Sequence, residues 1–370
     1  MARMLMKGNE AVAEAAIACG CRYFFGYPIT PQNEIPETMS KRLPEVGGVY
    51  VQAESEVASI NMVYGAAGCG ARVMTSSSSV GIALMQEGIS YMVGAELPAV
   101  IVNMMRGGPG LGSIQPSQGD YNMSVKGGGS GDYKLLTYTP GNVQETCDLV
   151  QRAFDRAAKY RTVVQVIADG IIGQMMEPIE IKTVEPVQYD DSWASKGWDY
   201  KTGRGFDGQE RPKSIINSLY IEPEELEVLT HRLFDKYAII EKEEVMYEEY
   251  KTEGAEILFV AYGSVSRIVK NVIEVLESKG IKAGLVRPIT AWPFPSEAVY
   301  NAANQDSVKK VIVTEMSAGQ MLEDVRLAVR AIKPVSFYGR VGSQIPTPEE
   351  IVDFAIADLK KDEEFVLGGR

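Results

Sequence analysis

The stretch YFFGYPITPQNEIPE, Tyr23–Glu37, decides how the rest of the chain is read. A short aromatic run with the look of a buried strand gives way to three prolines in fifteen residues. Proline cannot feed a central β-ladder, and it stiffens the residue before it. The strand must therefore end in a rigid turn, and that turn presents one threonine, Thr30. A stiff loop at the C-terminal end of a strand is where open α/β sheets place their chemistry.

The same rhythm extends outward from this stretch. Before it, NEAVAEAAIACG reads as an Ala-rich helix closed by Gly20. After it come a strand in GGVYVQAE and a helix in SEVASINMVYGAAGCG with Ser55 as N-cap. ARVMTSSS is a strand running into a turn, VGIALMQEGISYMVGAE a helix, and LPAVIVNMMR a strand. Beyond a glycine-rich loop lie the helix VQETCDLVQRAFDRAAKY and the strand RTVVQVIAD. Near-continuous apolar strands alternating with helices indicate an α/β fold, a doubly wound parallel sheet covered on both faces.

The composition changes from about Glu177 to Glu253, where YDDSWASKGWDYKTGRGFDGQERPK has little periodicity. Such a length suggests a functional or interface-forming connection. PEELEVLTHRLFDKYAIIEKEEVMYEEY reads as one charged helical stretch leading into a second α/β unit. That unit has strands in AEILFVAYGSV, IKAGLVRPIT and VKKVIVTEM and a helix in SRIVKNVIEVLESKG. It closes with the helix TPEEIVDFAIADLKK, where Thr347 and Glu350 form a capping box. The expected organisation is a first domain over 1–185, an extended segment over 186–250 and a smaller domain over 251–370.

Composition narrows the function. The chain has 370 residues and a formal net charge of −12, which argues against nucleic acid and anionic membrane surfaces as partners. No apolar run is long enough for a membrane span. The start, MARMLMKGNEAVAEAAIACG, carries Lys7, Glu10 and Glu14 and reads as a helix of the fold rather than a signal peptide. The expected compartment is the cytoplasm. Cys19, Cys21, Cys69 and Cys147 form no C-x-x-C pair, and His231 is the only histidine. A metal site of this chain's own is therefore not expected, and the cysteines read as small buried thiols. His231 lies in a charged run and reads as part of a solvated helix face.

No P-loop is present, and the glycines of RGGPGLG do not follow the G-x-G-x-x-G spacing. The remaining candidates share one edge: Thr30 after the first strand, Glu54 and Glu56 after the second, Thr75–Ser79 after the third and Arg106 ending the fourth. A hydroxyl, a carboxylate at a helix start, a hydroxyl-rich turn and an arginine suit a small anion plus a heterocycle. Arg106 would clamp a carboxylate through two parallel hydrogen bonds. Each also has a structural reading: Thr30 as a turn residue, either glutamate as a helix-dipole partner, the serines as caps, and Arg106 as an ion-pair partner.

Three segments, GNEAVAEAAIACGCRYFFGYPITPQNEIPE, QAESEVASINMVYGAAGCGARVMTSSSSVGIALMQEGISY and LPAVIVNMMRGGPGLG, closely resemble the alpha subunit of the 2-oxoacid:ferredoxin oxidoreductases. The likeness continues through YGSVSR, LVRPITAWPFP and VTEMSAGQM, and so covers essentially the whole chain. GYPITP is its most specific part. The loop RGGPGLGSIQPSQGDYNMSVKGGGSGDY looks most like the branched-chain, 2-oxoisovalerate, group.

The resemblance implies a pyrimidine-type thiamine-diphosphate-binding domain followed by one like the C-terminal domain of transketolase. It implies oxidative decarboxylation of a 2-oxoacid with coenzyme A, the electrons passing through [4Fe-4S] clusters to ferredoxin. A beta subunit would hold the diphosphate and Mg²⁺, gamma and ferredoxin-like delta subunits would complete the hetero-oligomer, and self-association is also implied. The G-D-G motif that holds Mg²⁺–diphosphate is missing here, QGDYN being a GD without the second glycine. The four cysteines cannot supply the clusters either, so both needs point to partner chains. Carried over by position, Glu56 would share a proton with the aminopyrimidine ring, a general-base relay. Pro28 and Ile29 would wall the ring, Ser77 would approach the cofactor, and Thr30 and Arg106 would meet the substrate's carboxylate or keto group. Pyruvate and 2-oxoglutarate remain open as substrates, as does a non-catalytic assembly subunit of the same fold.

Overall fold

The computed structural model describes residues 3–199, 202, 204, 205, 208, 210, 213–361 and 364–369. Its larger sheet has eight strands. Six run parallel in the order β7 (Leu136–Tyr138), β8 (Val163–Asp169), β5 (Ala99–Gly107), β4 (Val73–Ser77), β2 (Tyr23–Gly26) and β3 (Val49–Gln52). Two antiparallel strands join them: β6 (Ser113–Pro116) beside β5, and β15 (Thr290–Trp292) beside β7. Every residue of β4, β5 and β8 is buried, as expected for strands covered on both faces.

The helices of this part are α1 (Gly8–Ala18), α2 (Glu34–Glu45), α3 (Glu56–Gly68), α4 (Val80–Gly94), α5 (Tyr121–Val125), α6 (Val143–Tyr160) and α7 (Gly170–Gln174). Their ends follow the local chemistry. Ser55 caps α3 by accepting from Ala58 N, and Asn142 caps α6 by accepting from Glu145 N. Gly20, at φ +90°, turns the chain out of α1.

The second sheet has the order β12 (Tyr247–Tyr250), β14 (Ala283–Pro288), β13 (Ile257–Val260), β16 (Lys310–Glu315), β17 (Val335–Gly339) and β18 (Phe365–Leu367). Only β12 is antiparallel to its neighbour. Around it lie α9 (Gly263–Ser278), α10 (Ser296–Ala303), α11 (Gln320–Val329) and α12 (Pro348–Asp358). The capping box of α12 forms: Glu350 N donates to Thr347 Oγ1 (3.3 Å), and Thr347 N donates to Glu350 Oε2 (2.9 Å).

Several expectations need correction. The start of the chain is not all helix, because Met4–Lys7 (β1) pairs antiparallel with Met176–Ile179 (β9). IKAGLVRPIT is not one strand: β14 belongs to the second sheet, whereas β15 crosses to the edge of the first. Thr139 grips that crossover, its N donating to Ile289 O at 2.8 Å and its Oγ1 to Pro288 O at 2.9 Å. The charged helix, α8 (Pro223–Glu243), stops before MYEEY. Residues Tyr247–Tyr250 alternate in exposure with a period of two and form β12, as tyrosines flanking polar residues favour. The glycine-rich loop contains β6 and α5, which its turn-rich composition hides.

The connecting segment is a strap rather than a free linker. Gln151 Nε2 donates to Lys182 O (2.8 Å), Val184 N to Ala18 O (3.0 Å) and Ser195 N to Gly68 O (2.8 Å). A two-stranded ladder, β10 (Trp198–Asp199) and β11 (Arg204–Gly205), follows it. Part of YDDSWASKGWDYKTGRGFDGQERPK, and Met1 and Ala2, lie outside the described residues. Cys19, Cys21 and Cys147 are buried thiols, and burial pushes Cys21 and Cys147 up to about 12, but Cys69 is exposed. His231 stands on the exposed face of α8, its side chain 79% accessible.

Candidate active site

Four parallel strands, β3, β2, β4 and β5, end side by side, and each ending contributes one part of the site. At the end of β3 the Ser55 cap starts α3, so Glu56 falls in the first turn with its side chain turned inward. Glu54 and Glu56 look alike in sequence, but Glu54 is exposed and Glu56 only 5% accessible. The buried carboxylate receives no hydrogen bond from any described residue. A largely buried carboxylate without a protein partner is costly, and most buried polar groups of native structures have one.

β4 supplies the surroundings. Ser77 Oγ is buried and, among the described residues, has no hydrogen-bond partner; the same holds for Thr75 Oγ1 and Ser78 Oγ beside it in the chain. Gly81, in the first turn of α4, closes this corner: a Cβ there would collide with Ser77 Oγ and come within 2.5 Å of Glu56 Oε1. The backbone is thus bare where the hydroxyl and the carboxylate meet. The serines do not cap α4, because Ser79 makes no side-chain cap bond.

The proline turn after β2 is held from two sides. Ser76 Oγ donates to Gln32 Oε1 (2.5 Å), tying the turn to β4. Arg106 Nη1 donates to the carbonyl of Thr30 (3.0 Å), tying it to β5. Asn33 Nδ2 reaches Thr30 Oγ1 at 3.5 Å, and Thr30 itself is half-buried. Pro28 is exposed and Ile29 half-buried, directly after β2.

Arg106 differs from the free clamp that its position suggests. It is buried, its two terminal nitrogens are engaged by the carbonyls of Thr30 and Leu111 (3.1 Å), and its Nε has no partner. Only hydrogens left over from those two bonds remain for a substrate. No ion pair holds it, so the salt-bridge reading also fails among the described residues.

Three residues here, Ser79, Asn103 and Asp120, form a network that the sequence does not disclose. Ser79 adopts φ +31°, a strained value for a residue with a side chain, costing about 1–3 kcal/mol. It is fixed by Asn103, whose Oδ1 accepts from Ser79 N (3.0 Å), and by Asp120, 2.5 Å from Ser79 Oγ. Arg106 N in turn donates to Ser79 Oγ (2.9 Å), so the network anchors the backbone that carries the arginine. Burial holds the Asp120 carboxyl above its usual range, although Ser79 and Asn103 pull the other way. Asp120 was visible in sequence only as the GD of an incomplete motif; the serine run ahead of Gly81 was the one hint of the corner.

The edge does not form one open chamber. A cavity of about 510 Å³ is bordered by Thr30, but neither Glu56 nor Arg106 lines it. Another, of about 450 Å³, lies between Ser79 and Asp120 on one side and the Met316–Gln320 loop on the other.

Residues 14–220, which carry this whole edge, match the family described as pyruvate flavodoxin/ferredoxin oxidoreductase, thiamine diphosphate-binding. Residues 255–351 match core domain II of pyruvate:ferredoxin oxidoreductase. The chain belongs to the 2-oxoacid:ferredoxin oxidoreductase family.

Among curated relatives, ketoisovalerate oxidoreductase subunit VorB of Methanothermobacter thermautotrophicus is 47% identical over 95% of this chain and 97% of its own length. The 2-oxoglutarate synthase subunit KorA of Methanocaldococcus jannaschii is 36% identical over 94% of this chain and 97% of its own. The 2-oxoglutarate:ferredoxin oxidoreductase of Magnetococcus marinus, solved with 2-oxoglutarate, coenzyme A and succinyl-CoA bound, superposes with a TM-score of 0.85 at 27% identity. That match covers 97% of this chain and 65% of the solved one, so the chain spans about two thirds of that relative. A split-gene transketolase shares the fold at a TM-score of 0.59.

Members of the 2-oxoacid:ferredoxin oxidoreductase family named here are subunits of larger enzymes, and the sheet edge lies in the family's thiamine-diphosphate-binding part. The corner suits a heterocycle with exchangeable protons: it offers a carboxylate and a hydroxyl, both unpaired among the described residues, and a glycine whose missing Cβ lets both come close to the α4 backbone. Among the described residues no group of three His, Cys, Asp or Glu side chains is placed to hold a metal ion, and no helix is long and apolar enough to cross a membrane.

Proposed function

We propose that this chain is the subunit that holds the aminopyrimidine side of thiamine diphosphate in a 2-oxoacid:ferredoxin oxidoreductase, with a branched-chain 2-oxoacid, 2-oxoisovalerate in particular, as substrate. The observation that carries the reading is Glu56, a largely buried carboxylate with no donor among the described residues, beside Ser77 and Gly81. The 47% identity to a ketoisovalerate oxidoreductase subunit, against 36% to a 2-oxoglutarate synthase subunit, supports the branched-chain choice.

Bound thiamine diphosphate supplies the electron sink that lets a 2-oxoacid lose CO₂. The chain's own residues orient and exclude. Glu56 holds a proton at its carboxylate against a ring nitrogen, with Ser77 Oγ as a neighbouring polar contact. Pro28 and Ile29 stand at the loop that walls the ring. Thr30 presents its hydroxyl to the substrate's carboxylate or keto oxygen. Arg106 fixes the Thr30 carbonyl and directs its remaining N–H groups and positive charge at the substrate's carboxylate. A partner beta chain would carry the diphosphate and Mg²⁺. Gamma and delta chains would carry the [4Fe-4S] clusters that pass electrons to ferredoxin, and coenzyme A would take the acyl group. Four free thiols suit a reducing compartment, and the reading places the complex in the cytoplasm.

The test is Glu56→Gln in the complex assembled with its partner chains. Turnover of 2-oxoisovalerate should fall at least about 100-fold, the scale of a lost proton-transfer group, with subunit composition unchanged. Activity within threefold of wild type would remove Glu56 from the chemistry.

A further inference from the structure

Thr30 faces two environments. It also borders the cavity of about 510 Å³, which Glu56 does not line and whose walls come from both halves of the chain. Ile114 and Pro116 belong to β6, Ile171 to α7, and Ile345 to the loop between β17 and α12. That loop is fastened in place. Ser343 Oγ donates to the Gln115 carbonyl at 3.0 Å, and Gly107 lets it approach, since a Cβ at 107 would collide with Ser343 Oγ.

The polar rim is already satisfied. Among the described residues Glu34 is the only charged one lining the cavity. It accepts from Lys7 Nζ (2.9 Å), Asn9 Nδ2 (2.7 Å) and Gln174 Nε2 (3.0 Å), and the same Gln174 nitrogen is 3.0 Å from the Pro31 carbonyl. Among the described residues no lysine, arginine or histidine lines the space. Ile114 and Ile345 are nonetheless exposed, at 55% and 42%, so three isoleucines and two prolines, Pro31 and Pro116, give the cavity its apolar lining.

We propose that this cavity is the chamber for the side chain of the 2-oxoacid, and that Ile114, Ile171 and Ile345 set a preference for a branched aliphatic chain over a dicarboxylic acid. The inference rests on the 2-oxoacid reading above and adds to it the residues that choose among 2-oxoacids. The volume does not select, since it exceeds any of these side chains; the polarity does. Each buried methylene is worth roughly a factor of four in affinity. The second carboxylate of 2-oxoglutarate would leave water for an isoleucine wall, with no cation in the lining to receive it, because the one ammonium at the rim, Lys7, is already paired with Glu34. Pyruvate fits but leaves the wall largely uncovered.

The experiment measures kcat/KM for 2-oxoisovalerate, pyruvate and 2-oxoglutarate with the complete complex carrying Ile114→Ala, Ile345→Ala or Ile345→Arg. A misfolded fraction lowers all three substrates alike and cancels in the ratios. Each alanine variant should lower the 2-oxoisovalerate-to-pyruvate ratio by about three- to tenfold, toward the low end of methylene discrimination. Ile345→Arg should raise 2-oxoglutarate relative to 2-oxoisovalerate at least about tenfold by supplying the missing cation. Ratios within twofold of wild type in all three variants would overturn the chamber while leaving the 2-oxoacid reading intact. A wild-type complex that turns over none of the three acids would overturn that reading, and the chamber with it, before any variant is made.

Discussion

Glu56 and Glu315 are both buried glutamates at the C-terminal edge of a parallel sheet, and the protein treats them in opposite ways. Glu315 ends β16 and is saturated: Ser317 Oγ donates at 2.7 Å, Met321 N at 3.1 Å and Leu322 N at 3.0 Å. It closes the turn into α11. Glu56 is 5% accessible against 0% for Glu315, and among the described residues it has no donor. Among the described residues the first sheet leaves the hydroxyls of Thr75, Ser77 and Ser78 unpaired beside Glu56, whereas beside Glu315 only the Thr314 hydroxyl is left so. An edge left unsatisfied in the folded chain is one built for something that arrives later.

That contrast can be broken most sharply by exchanging each glutamate for glutamine. Glu56→Gln should abolish turnover and leave resistance to urea unchanged, because no protein hydrogen bond is lost. Glu315→Gln should do the reverse. An amide nitrogen would face a backbone donor, and the urea midpoint should shift by about 1–3 kcal/mol of stability. If both variants lowered stability equally, the corner around Glu56 would be ordinary structure.

Arg106→Ala comes next in size. KM for the 2-oxoacid should rise at least about tenfold, because both the Thr30 anchor and the positive charge are removed. A rise below about threefold, or 0.7 kcal/mol, would leave Arg106 as scaffolding only.

The smallest effect is in pH dependence. Asp169 joins the two halves of the chain, accepting from Ser264 Oγ at 2.6 Å and from Ile171 N at 3.0 Å. Burial nevertheless holds its carboxyl above the usual range. The folded state therefore binds the proton more tightly than the unfolded chain. The resulting stabilisation is complete below the ordinary aspartate value of about 3.9 and is lost as pH rises through the higher folded value. Replacement by asparagine should flatten melting temperature against pH over that window; an unchanged slope would show that Asp169 does not titrate there.

The same contrast explains what the sequence discloses. Local signals were legible where short-range chemistry decides: Ser55 and the Thr347–Glu350 box start helices because a side chain meets a backbone donor three residues away. The proline turn at Thr30 and the shared edge were legible for the same reason. Long-range facts were not. RPIT divides between two sheets at Ile289, and nothing in its composition marks the crossover. Glu54 and Glu56 flank the Ser55 cap, and only the one inside the first turn of α3 faces the core. Arg106 looked like a free cation because the carbonyls of Thr30 and Leu111 that engage it are found only in the folded chain. Gly81 and Asp120 matter through what lies opposite them.

The most direct test is a crystal structure of the complete complex with thiamine diphosphate bound. The expected result is the aminopyrimidine ring against Gly81 and Ser77, with a Glu56 carboxylate oxygen at about 2.6–3.2 Å from a ring nitrogen. A ring seated elsewhere, with Glu56 bonded to protein donors as Glu315 is, would contradict it.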